Sequence, residues 1–493
     1  MRLSKKSADF FDSLIIYVDF RVSLWYTAFS SRKGVRHMDV IAAIATGASA
    51  SAIGIVRISG AGAYAVCDRV FRARNGKAFA DQPPHRMTIG RMIDAQGRMI
   101  DEGLAVRFPA AHSYTGEESA ELHCHGSPVV LNELLRACFA AGARQAQPGE
   151  YTRRAFLNGR MDLTAAEAVI DLIDAETAEA ARNAALQLGG AIADCVSSAY
   201  DALLEITSRF YAVVDYPDED VEDLTRERTD TLLAGAERTL GVLLATYARG
   251  RVMKSGVATA IIGAPNAGKS SLLNALVGYE RAIVTDIAGT TRDTVEEKAI
   301  LGGVLLRLID TAGIRETDDA VEKLGVERSR RALEASDLAL ALVDGSKEPG
   351  EDDCVILRMA SARSRWILVR TKADLAPYPA ALPENLHRAP DAVVSLSART
   401  GAGFDALESA VAALFPQGEA PSGTLLTNAR QADAVERALA SVRAAREALH
   451  IGFMPDAVLT EAETAMNALG ELTGRTARDD MVSRIFERFC VGK

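Results

Sequence analysis

Long apolar runs are absent from this 493-residue sequence. None approaches the roughly 18 residues that a membrane-spanning helix needs. Cysteine is sparse as well, because only six are scattered along the chain and no two form a C-x-x-C pair. A chain of this length does not need disulfides to hold its core. We therefore expect a reducing, cytoplasmic setting and no membrane partner.

Basic residues are in deficit. Lysine and arginine number 56 against 66 aspartates and glutamates, which gives a net charge of −10. Such a chain is a poor candidate for coating nucleic acid through bulk electrostatics, so any RNA contact needs a local basic patch or a partner that supplies one. The hydrophobic fraction of 48% and charged fraction of 25% are ordinary for a globular protein. The length allows about two to four domains.

Residues 1–37 differ from the rest of the sequence. They carry seven basic and three acidic side chains, and Asp12 and Asp19 interrupt their short apolar bursts. Acidic residues are unusual in a transit peptide, and the apolar bursts are too short and too interrupted for a secretory signal. We interpret this segment as an extension from an upstream start assigned in error. A targeting segment is the less favoured alternative.

The predicted secondary-structure pattern changes three times along the remaining sequence. Residues 38–157 mix short strands, such as 53–60 and 120–126, with helical stretches, which predicts an α+β domain. Residues 158–253 are helical, and Thr164-Ala165-Ala166-Glu167 has the pattern of a capping box. Residues 254–416 alternate apolar strands with helices, which predicts a mostly parallel sheet. Residues 417–493 are helical again, so the α/β region could be an insertion into one helical domain.

The run from Gly263 to Ser270 matches the P-loop pattern G-x-x-x-x-G-K-[ST]. It follows an apolar strand and precedes a helix, which is the context that this motif requires. The glycines allow backbone N–H groups to turn inward around phosphates. Lys269 would neutralise phosphate oxygens, and the Ser270 hydroxyl would bind Mg²⁺.

Four further motifs follow in the order of a GTPase. They are Gly289-Thr290-Thr291-Arg292-Asp293, Asp310-Thr311-Ala312-Gly313, Thr371-Lys372-Ala373-Asp374 and Ser397-Ala398-Arg399. Thr291 stands where a switch threonine closes on Mg²⁺. Asp310 can hold the magnesium shell, and Gly313 can sense the γ-phosphate through its N–H.

Asp374 determines which base the site selects. Its carboxylate can accept N1–H and the exocyclic amine of guanine, whereas adenine offers neither donor there. The nucleotide is therefore predicted to be GTP. Asn usually opens this motif, and Thr371 replaces it here. Since Thr has no amide, a bond to the base or a brace to the P-loop is expected to be lost, with guanine selectivity kept and affinity somewhat weaker.

The usual water-orienting side chain is missing. Ile314 stands where Ras-like GTPases have Gln, and a hydrophobe cannot position water. No arginine finger can be identified from one sequence. Another group must therefore supply charge and aim the nucleophile.

Together these motifs resemble the TrmE (MnmE) family of tRNA uridine-34 modification GTPases. The resemblance runs from about Asp39 to Lys493. It includes stretches outside the P-loop domain: Phe108-Pro109, Tyr114-Thr115-Gly116-Glu117-Glu118, Glu121-Leu122, His125-Gly126, Pro148-Gly149-Glu150, 154–158 and the tail 485–493.

The resemblance implies an α+β folate-binding domain that dimerises (38–157), followed by a helical domain (158–253 and 417–493, ending in FCVGK) with a P-loop GTPase domain inserted (254–416). It implies GTP hydrolysis with Mg²⁺ and K⁺, and 5-formyl- or methylene-tetrahydrofolate as one-carbon donor. It also implies a homodimer that joins an FAD-containing partner, MnmG, in a heterotetramer or larger complex. That complex, which would make most of the tRNA contact, installs a (carboxymethyl)aminomethyl group at C5 of wobble uridine 34.

The same resemblance implies roles for individual residues. Potassium would be held by Asn266, Thr285, Ile287 and Thr290, and magnesium by Ser270 and Thr291. The nucleotide would also contact Ala267, Gly268, Ser271, Asp286, Ala288 and Gly289. Folate would contact Arg57, Glu121, Arg160 and Lys493, with Arg160 standing where Lys is common.

Two implied catalytic residues have plain alternatives. Glu322 matches a glutamate that orients the attacking water through a second water, but from sequence alone it fits a surface helix carboxylate. Cys490 matches a functional cysteine, and a tail thiol buried against helices is an equal alternative. His123 and His125 share one strand face without a further ligand pair, so zinc is not expected.

Other functions fit less well. A ribosome-assembly GTPase switch is the main alternative, but such proteins usually carry tandem GTPase domains or a basic, aromatic-rich RNA module. This sequence has one P-loop and no such module. A membrane-remodelling GTPase would need an anchor segment, and none is evident.

Overall fold

In the computed structural model the chain forms two compact units. The structure describes residues 39–47, 49–215, 225–279, 297–309, 329–375, 383, 385–416, 423–452, 455–476, 482, 485–486 and 489–492. Unit 1 comprises Met1–Arg160 with Arg488–Lys493, and unit 2 comprises Met161–Glu487. No helix in the described part of the chain is both long and apolar enough to span a membrane. The finer domain boundaries given above stay a prediction.

Unit 1 contains a seven-stranded sheet in the order β3-β4-β5-β6-β2-β1-β7. Its neighbouring strands are antiparallel apart from the parallel pair β1 and β7. The strands are β1 (Ile41–Ile44), β2 (Ser51–Ser59), β3 (Phe71–Ala73), β4 (Thr88–Ile93), β5 (Met99–Phe108), β6 (Ser119–Gly126) and β7 (Arg144–Gln145). The helices are α1 (Ala63–Val70), α2 (Pro128–Ala140) and α3 (Glu150–Leu157), with 3-10 turns at Phe79–Asp81 and Ala110–His112.

Alternation along β2 creates the core of unit 1. Val56 and Ile58 are fully buried on one side of the sheet, where they join a cluster that includes Leu131 and Leu134 of α2. Gly54 lies under this helix, and a Cβ there would lie 2.7 Å from the Leu131 side chain. Only glycine therefore allows α2 to approach the strand this closely. The predicted α+β composition of this region is confirmed.

A buried ion network fixes α3 to the first strand of unit 1. Arg154, only 2% exposed, pairs with Asp39 at 3.0 Å, Glu117 at 3.0 Å and Glu150 at 2.9 Å. Arg144 pairs with Asp39 and Glu150 at 2.5 Å each. Burial opposes ionisation of Glu150, but hydrogen bonds from Arg144, the Gln147 N–H and Arg154 outweigh it and lower its pKa to about 2. Glu150 is therefore charged, and Arg144 and Arg154 together compensate it.

Unit 2 begins and ends with helices that share one core. The first set is α4 (Leu163–Ile173), α5 (Ala178–Leu188), α6 (Ala191–Asp215), α7 (Arg226–Ala245) and α8 (Tyr247–Ser255). Next come β8 (Val257–Gly263), α9 (Lys269–Tyr279), β9 (Glu297–Leu301), β10 (Val304–Ile309), β11 (Leu338–Asp344), α10 (Glu351–Ser361), β12 (Trp366–Thr371), β13 (Ala392–Ser395) and α11 (Phe404–Leu414). The last are α12 (Ala429–Ile451) and α13 (Pro455–Thr473). Residues of α6 and α7 pack with residues of α12 and α13 in a single apolar cluster, so the α/β segment is inserted into one helical bundle as predicted.

The capping-box interpretation of Thr164 is wrong. The cap of α4 is Asp162, whose side chain accepts from the Ala165 N–H. Glu167 does not reach back to a cap. It is 3% exposed and accepts hydrogen bonds from Arg430 and Gln431 of α12, and from Asn428 at the start of that helix. The glutamate therefore joins the helices on either side of the insertion.

The inserted segment contains a six-stranded sheet in the order β13-β12-β11-β8-β10-β9. All neighbouring strands are parallel except β9, which pairs antiparallel with β10. Every residue of β8 and β11 is buried, as expected for central strands covered by helices on both faces. The mostly parallel sheet is confirmed. The edge strand β9 was not expected, because its Glu-Lys-Ala-Ile-Leu sequence has no clear apolar alternation.

We predict that Arg154→Met destabilises unit 1. The change leaves Glu117 without a cation and leaves Asp39 and Glu150 with Arg144 alone, and breaking a buried ion pair typically costs about 3–5 kcal/mol. Hydrogen exchange of peptides from β1 and α3, measured by mass spectrometry on the full-length chain, should therefore show a lower free energy of opening by about this amount.

The matched control is Arg98→Met. Arg98 forms an exposed pair with Asp94, so its loss should change the free energy of opening far less than the loss of Arg154 does. Equal effects of the two variants would contradict the importance of the buried network.

Candidate functional site

The P-loop lies where the order of the parallel sheet reverses. Strand β8 is flanked by β10 on one side and by β11, which follows β10 in sequence, on the other, so the strand order reverses beside β8. Ligands of open α/β sheets bind in the crevice at such a point. The P-loop residues 264–268 connect β8 to α9 there, in the order that the sequence predicts.

Two residues of the P-loop adopt left-handed backbone conformations. Asn266 has a φ of 63° and Gly268 a φ of 92°. This turn directs the chain from the end of β8 into α9, which begins at Lys269. The N–H groups of the first helical turn then face the loop, where they can bind an anion. Asn266, Ser270 and Ser271 are exposed, whereas Ala267 is buried.

Lys269 closes the loop with its side chain. Its Nζ donates to the carbonyls of Gly263 and Ala264, each at 2.9 Å. Burial lowers the pKa of this ammonium. A phosphate placed inside the loop would offer the lysine a charged partner in place of two neutral carbonyls.

Thr371 retains the brace to the P-loop that its sequence was expected to lose. Its buried hydroxyl lies 2.8 Å from the carbonyl oxygen of Ala267 and 3.2 Å from that of Val343. The hydroxyl therefore ties the end of β12 to the P-loop and to the end of β11. The expectation of a lost brace is wrong in this respect, because a single donor is sufficient when the strand end lies this close.

Asp374 is held by two groups from the loop after β13. Its Oδ1 accepts from the Ser397 hydroxyl at 2.7 Å, and its Oδ2 pairs with Arg399 at 2.7 Å. The Ser397 bond, supported by the backbone of Asp374 and by Arg399, holds the pKa of this carboxyl below its ordinary value. Each carboxylate oxygen has a further lone pair for a ligand. The structure therefore brings Asp374, Ser397 and Arg399 together.

Lys372 has a partner that sequence reasoning missed. It has a φ of 57°, and its Nζ donates to Asp344 Oδ2 at 2.7 Å. Burial opposes ionisation of Asp344, but bonds from Lys372 and Ser346 outweigh it and lower its pKa to about 2. The sequence feature that could have predicted this pair is the acidic residue Asp344 at the end of the apolar strand β11. Ala373 and Ala398 complete these loops, and the Ala373 N–H donates to the Leu396 carbonyl at 3.2 Å.

Several predicted site residues lie outside the described part of the chain. They are Thr285, Asp286, Ile287, Ala288, Gly289, Thr290, Thr291, Asp310, Thr311, Ala312, Gly313, Glu322 and Lys493. Their roles stay predictions.

A second candidate site lies in unit 1 around Arg57 and Glu121. The two residues face each other across β2 and β6, and their side chains form an ion pair at 2.9 Å. His123 contacts the other carboxylate oxygen of Glu121 at 3.2 Å. The hydrogen bond from His123 and the charge of Arg57 outweigh burial and lower the pKa of Glu121. Tyr151 supports the pair, since its hydroxyl donates to the Arg57 carbonyl at 2.8 Å.

The C-terminal tail reaches this same unit. Arg57 Nη1 lies 3.5 Å from the carbonyl oxygen of Gly492, and the Gly149 N–H donates to the Cys490 carbonyl at 3.4 Å. Gly492 has a φ of 104°, and a Cβ there would lie 2.3 Å from the Ile44 carbonyl. A glycine is therefore required for the tail to pass β1. The Cys490 thiol is exposed, so the alternative of a buried tail thiol is wrong.

The other residues singled out in unit 1 have separate partners. Arg160 is exposed and donates to the Ala111 carbonyl at 3.3 Å. His125 contacts Asp101 at 2.9 Å. Among the residues that the structure describes, no group of three or more His, Cys, Asp or Glu is arranged to hold a metal ion.

Comparison with protein families gives two matches that together cover almost all of the chain after residue 39. The family described as GTP-binding protein TrmE N-terminus matches residues 40–160. The family described as MnmE helical domain matches residues 163–490.

Curated relatives are similar along nearly their whole length. The tRNA modification GTPase MnmE of Symbiobacterium thermophilum is 44% identical over 460 residues, which is 92% of this chain and 99% of the relative. That of Roseiflexus castenholzii is 43% identical over 468 residues, with the same coverage. That of Streptococcus suis is 40% identical over 463 residues, 93% of this chain and 99% of the relative. The chain therefore belongs to the MnmE family of tRNA modification GTPases.

Proposed function

We propose that this GTPase couples K⁺-dependent GTP hydrolysis to one-carbon chemistry at C5 of wobble uridine 34. With an FAD-containing partner it would install a (carboxymethyl)aminomethyl group from a folate one-carbon unit. The observation that carries the proposal is the oriented Asp374 carboxylate beside a braced P-loop, in a chain that belongs to a family of tRNA modification GTPases. An ionised carboxylate at this position accepts the two donors of guanine.

The P-loop and the loops beside it would bind the nucleotide. Lys269 would exchange its two carbonyl partners for phosphate oxygens, and the first N–H groups of α9 would bind the same phosphates. The Ser397 hydroxyl would keep Asp374 aimed at the base. These contacts would bind both the phosphates and the base of GTP. The short hydrogen bonds of Lys269 and Asp374 within the described loops support this proposal.

The metal ions would lie beside the P-loop. Mg²⁺ and K⁺ prefer oxygen ligands, and the exposed Ser270 hydroxyl and Asn266 amide oxygen fit that preference. Ser270 would hold Mg²⁺ together with Thr291, and Asn266 would hold K⁺ together with Thr285, Ile287 and Thr290. Bound K⁺ would supply the positive charge that other GTPases obtain from an arginine finger. Glu322 would orient the attacking water, since Ile314 cannot.

The folate site would be built on Arg57 and Glu121. A pterin edge presents N–H donors next to an acceptor, which suits a carboxylate beside a guanidinium. Arg160 and Lys493 would add positive charge for the carboxylates of folate, and Cys490 would act at the same site. The half-buried position of the Arg57–Glu121 pair supports this proposal.

Each proposed site would belong to its own domain of the chain. We place the folate-binding and homodimerising domain at 38–157, the GTPase domain at 254–416 and the helical domain at 158–253 and 417–493. The MnmG partner would join the homodimer in a heterotetramer or larger complex and provide much of the tRNA contact. Because tRNA is the substrate, the cytoplasm is the expected location.

We predict that Thr371→Val weakens GTP binding by roughly 3–10-fold, because one net hydrogen bond is worth about 0.5–1.5 kcal/mol. The loss arises from the brace to Ala267 and not from the base, so the preference for guanine over adenine should not change. Titration with fluorescent, non-hydrolysable GTP and ATP analogues measures both quantities.

Thr371→Ser is the matched control, since it keeps the hydroxyl and should bind like the unmodified chain. A Val variant with unchanged affinity would show that the brace does not support the P-loop.

We also predict that Glu322→Ala abolishes function while nucleotide binding remains. Loss of a positioned acid–base group typically lowers turnover by about 10²–10⁴-fold, and this should be seen at saturating K⁺.

In a strain lacking the gene, mass spectrometry of tRNA nucleosides should show no C5-modified wobble uridine. The unmodified gene and an exposed-acid control, Glu351→Ala, should restore it, and Glu322→Ala should not.

The two parts of this prediction can fail separately. Normal turnover of Glu322→Ala would remove Glu322 from catalysis. Modified uridine that persists in the deletion strain would instead overturn the proposed function in wobble modification.

A further inference from the structure

A basic pocket of about 590 Å³ lies in unit 1, and none of the site residues above lines it. Its three cations are Arg74, Lys77 and Arg86, and all three side chains are exposed. Neutral hydrogen-bonding side chains, Asn75 and Thr88, complete the polar wall. No Asp or Glu is among the described residues that line it. A pocket of this composition favours an anion.

The positive charge around the pocket is opposite in sign to the net charge of the whole chain. Residues 69–91 carry six lysines and arginines and one aspartate, whereas the chain has a net charge of −10. Residues 39–160 carry 14 basic and 11 acidic side chains, so unit 1 is the positive part of an acidic protein. The segment is therefore the local basic patch that an RNA contact would require.

The cations in and beside the pocket are not neutralised by the protein. Within the described part of the chain, Arg74, Lys77 and Arg86 form no ion pair. Arg72 of β3 lies directly opposite Arg91 of β4 in the strand register. Like charges at opposite positions destabilise a sheet. A polyanion bound here would relieve that repulsion.

The loop that carries the cations is held in place before any ligand binds. Gln82 is 2% exposed, and its side-chain amide donates to the carbonyls of Lys77 at 3.1 Å and Ala78 at 3.2 Å. Its amide oxygen accepts from Asn75 at 2.9 Å. The Arg74 N–H donates to the Ile89 carbonyl at 3.0 Å. These bonds reduce the conformational entropy that a ligand would otherwise have to remove.

Two apolar side chains lie among the charges. Met87 is 48% exposed and Ile89 is 44% exposed, and both line the pocket. A small inorganic anion has no apolar surface to contact these side chains, whereas a nucleotide chain presents sugar and base surfaces next to each phosphate. This mixture therefore favours an RNA backbone over a free phosphate.

We propose that this pocket binds the phosphate backbone of the tRNA substrate, with Arg74, Lys77 and Arg86 each contacting phosphate. The inference deepens the proposed function and rests on it, because it assumes that tRNA is the substrate. The partner would still provide much of the tRNA contact, and this chain would add a positioning surface of its own. Phosphate contacts orient an RNA and carry no sequence preference.

The test compares tRNA binding by the full-length chain and by the triple variant Arg74→Gln, Lys77→Gln, Arg86→Gln over a series of KCl concentrations. Each phosphate contact contributes roughly 0.7–0.9 to the salt slope, so the triple variant should lower the slope by about 2. Its affinity at low salt should fall at least about tenfold. GTP turnover without tRNA and the unfolding temperature should not change.

The control variant removes three exposed charges elsewhere: Arg98→Gln, Arg136→Gln and Arg238→Gln. It should bind tRNA within about twofold of the unmodified chain. Equal losses in the two triple variants would show non-specific attraction and overturn the proposal. The proposal would also be overturned if the Arg74, Lys77 and Arg86 triple variant lost inorganic phosphate binding but bound tRNA normally. It would likewise be overturned if the unmodified chain did not bind tRNA. Failure of the unmodified gene to restore wobble modification in a deletion strain would instead contradict the proposed function.

Discussion

The buried contact between Glu167 and Arg430 is the interaction on which the arrangement of unit 2 depends. Arg430 donates twice to Glu167 at 2.8 Å, and the two residues lie on opposite sides of the inserted segment in sequence. A buried carboxylate without its cation is strongly destabilising, so this pair specifies how the returning chain must align. The apolar cluster of the bundle then forms from helices that precede and follow the insertion.

Closure of the bundle positions the nucleotide loops. Helix α8 is followed after one residue by β8, and that residue, Gly256, has a φ of 71°. Lys254 at the end of α8 pairs with Asp171 of α4 at 2.6 Å, and Lys298 of β9 pairs with Glu176 at 2.6 Å. The helix that leads into β8 and the edge strand β9 are thereby tied to α4 and to the turn that follows it.

The sequence was sufficient for features that depend on local pattern. The apolar runs of β8 and β11, the P-loop turn and the helix from Pro128 all follow from neighbouring residues, and the structure has them at the expected places. Features that depend on distant partners could not be derived. The Thr371 hydroxyl meets Ala267, which lies 104 positions earlier. Glu167 matched a local capping pattern, but a partner 263 positions away determines its role.

We propose that guanine recognition by Asp374 in this chain drives the modification of tRNA in the complex. The most direct measurement is C5 modification of wobble uridine by the reconstituted complex containing Asp374→Asn, with GTP or with xanthosine triphosphate as the nucleotide. Xanthine replaces the exocyclic donor of guanine with an acceptor, so an amide at this position should reverse the preference. We expect little modification with GTP and recovery with xanthosine triphosphate. Undiminished modification with GTP and none with xanthosine triphosphate would contradict it.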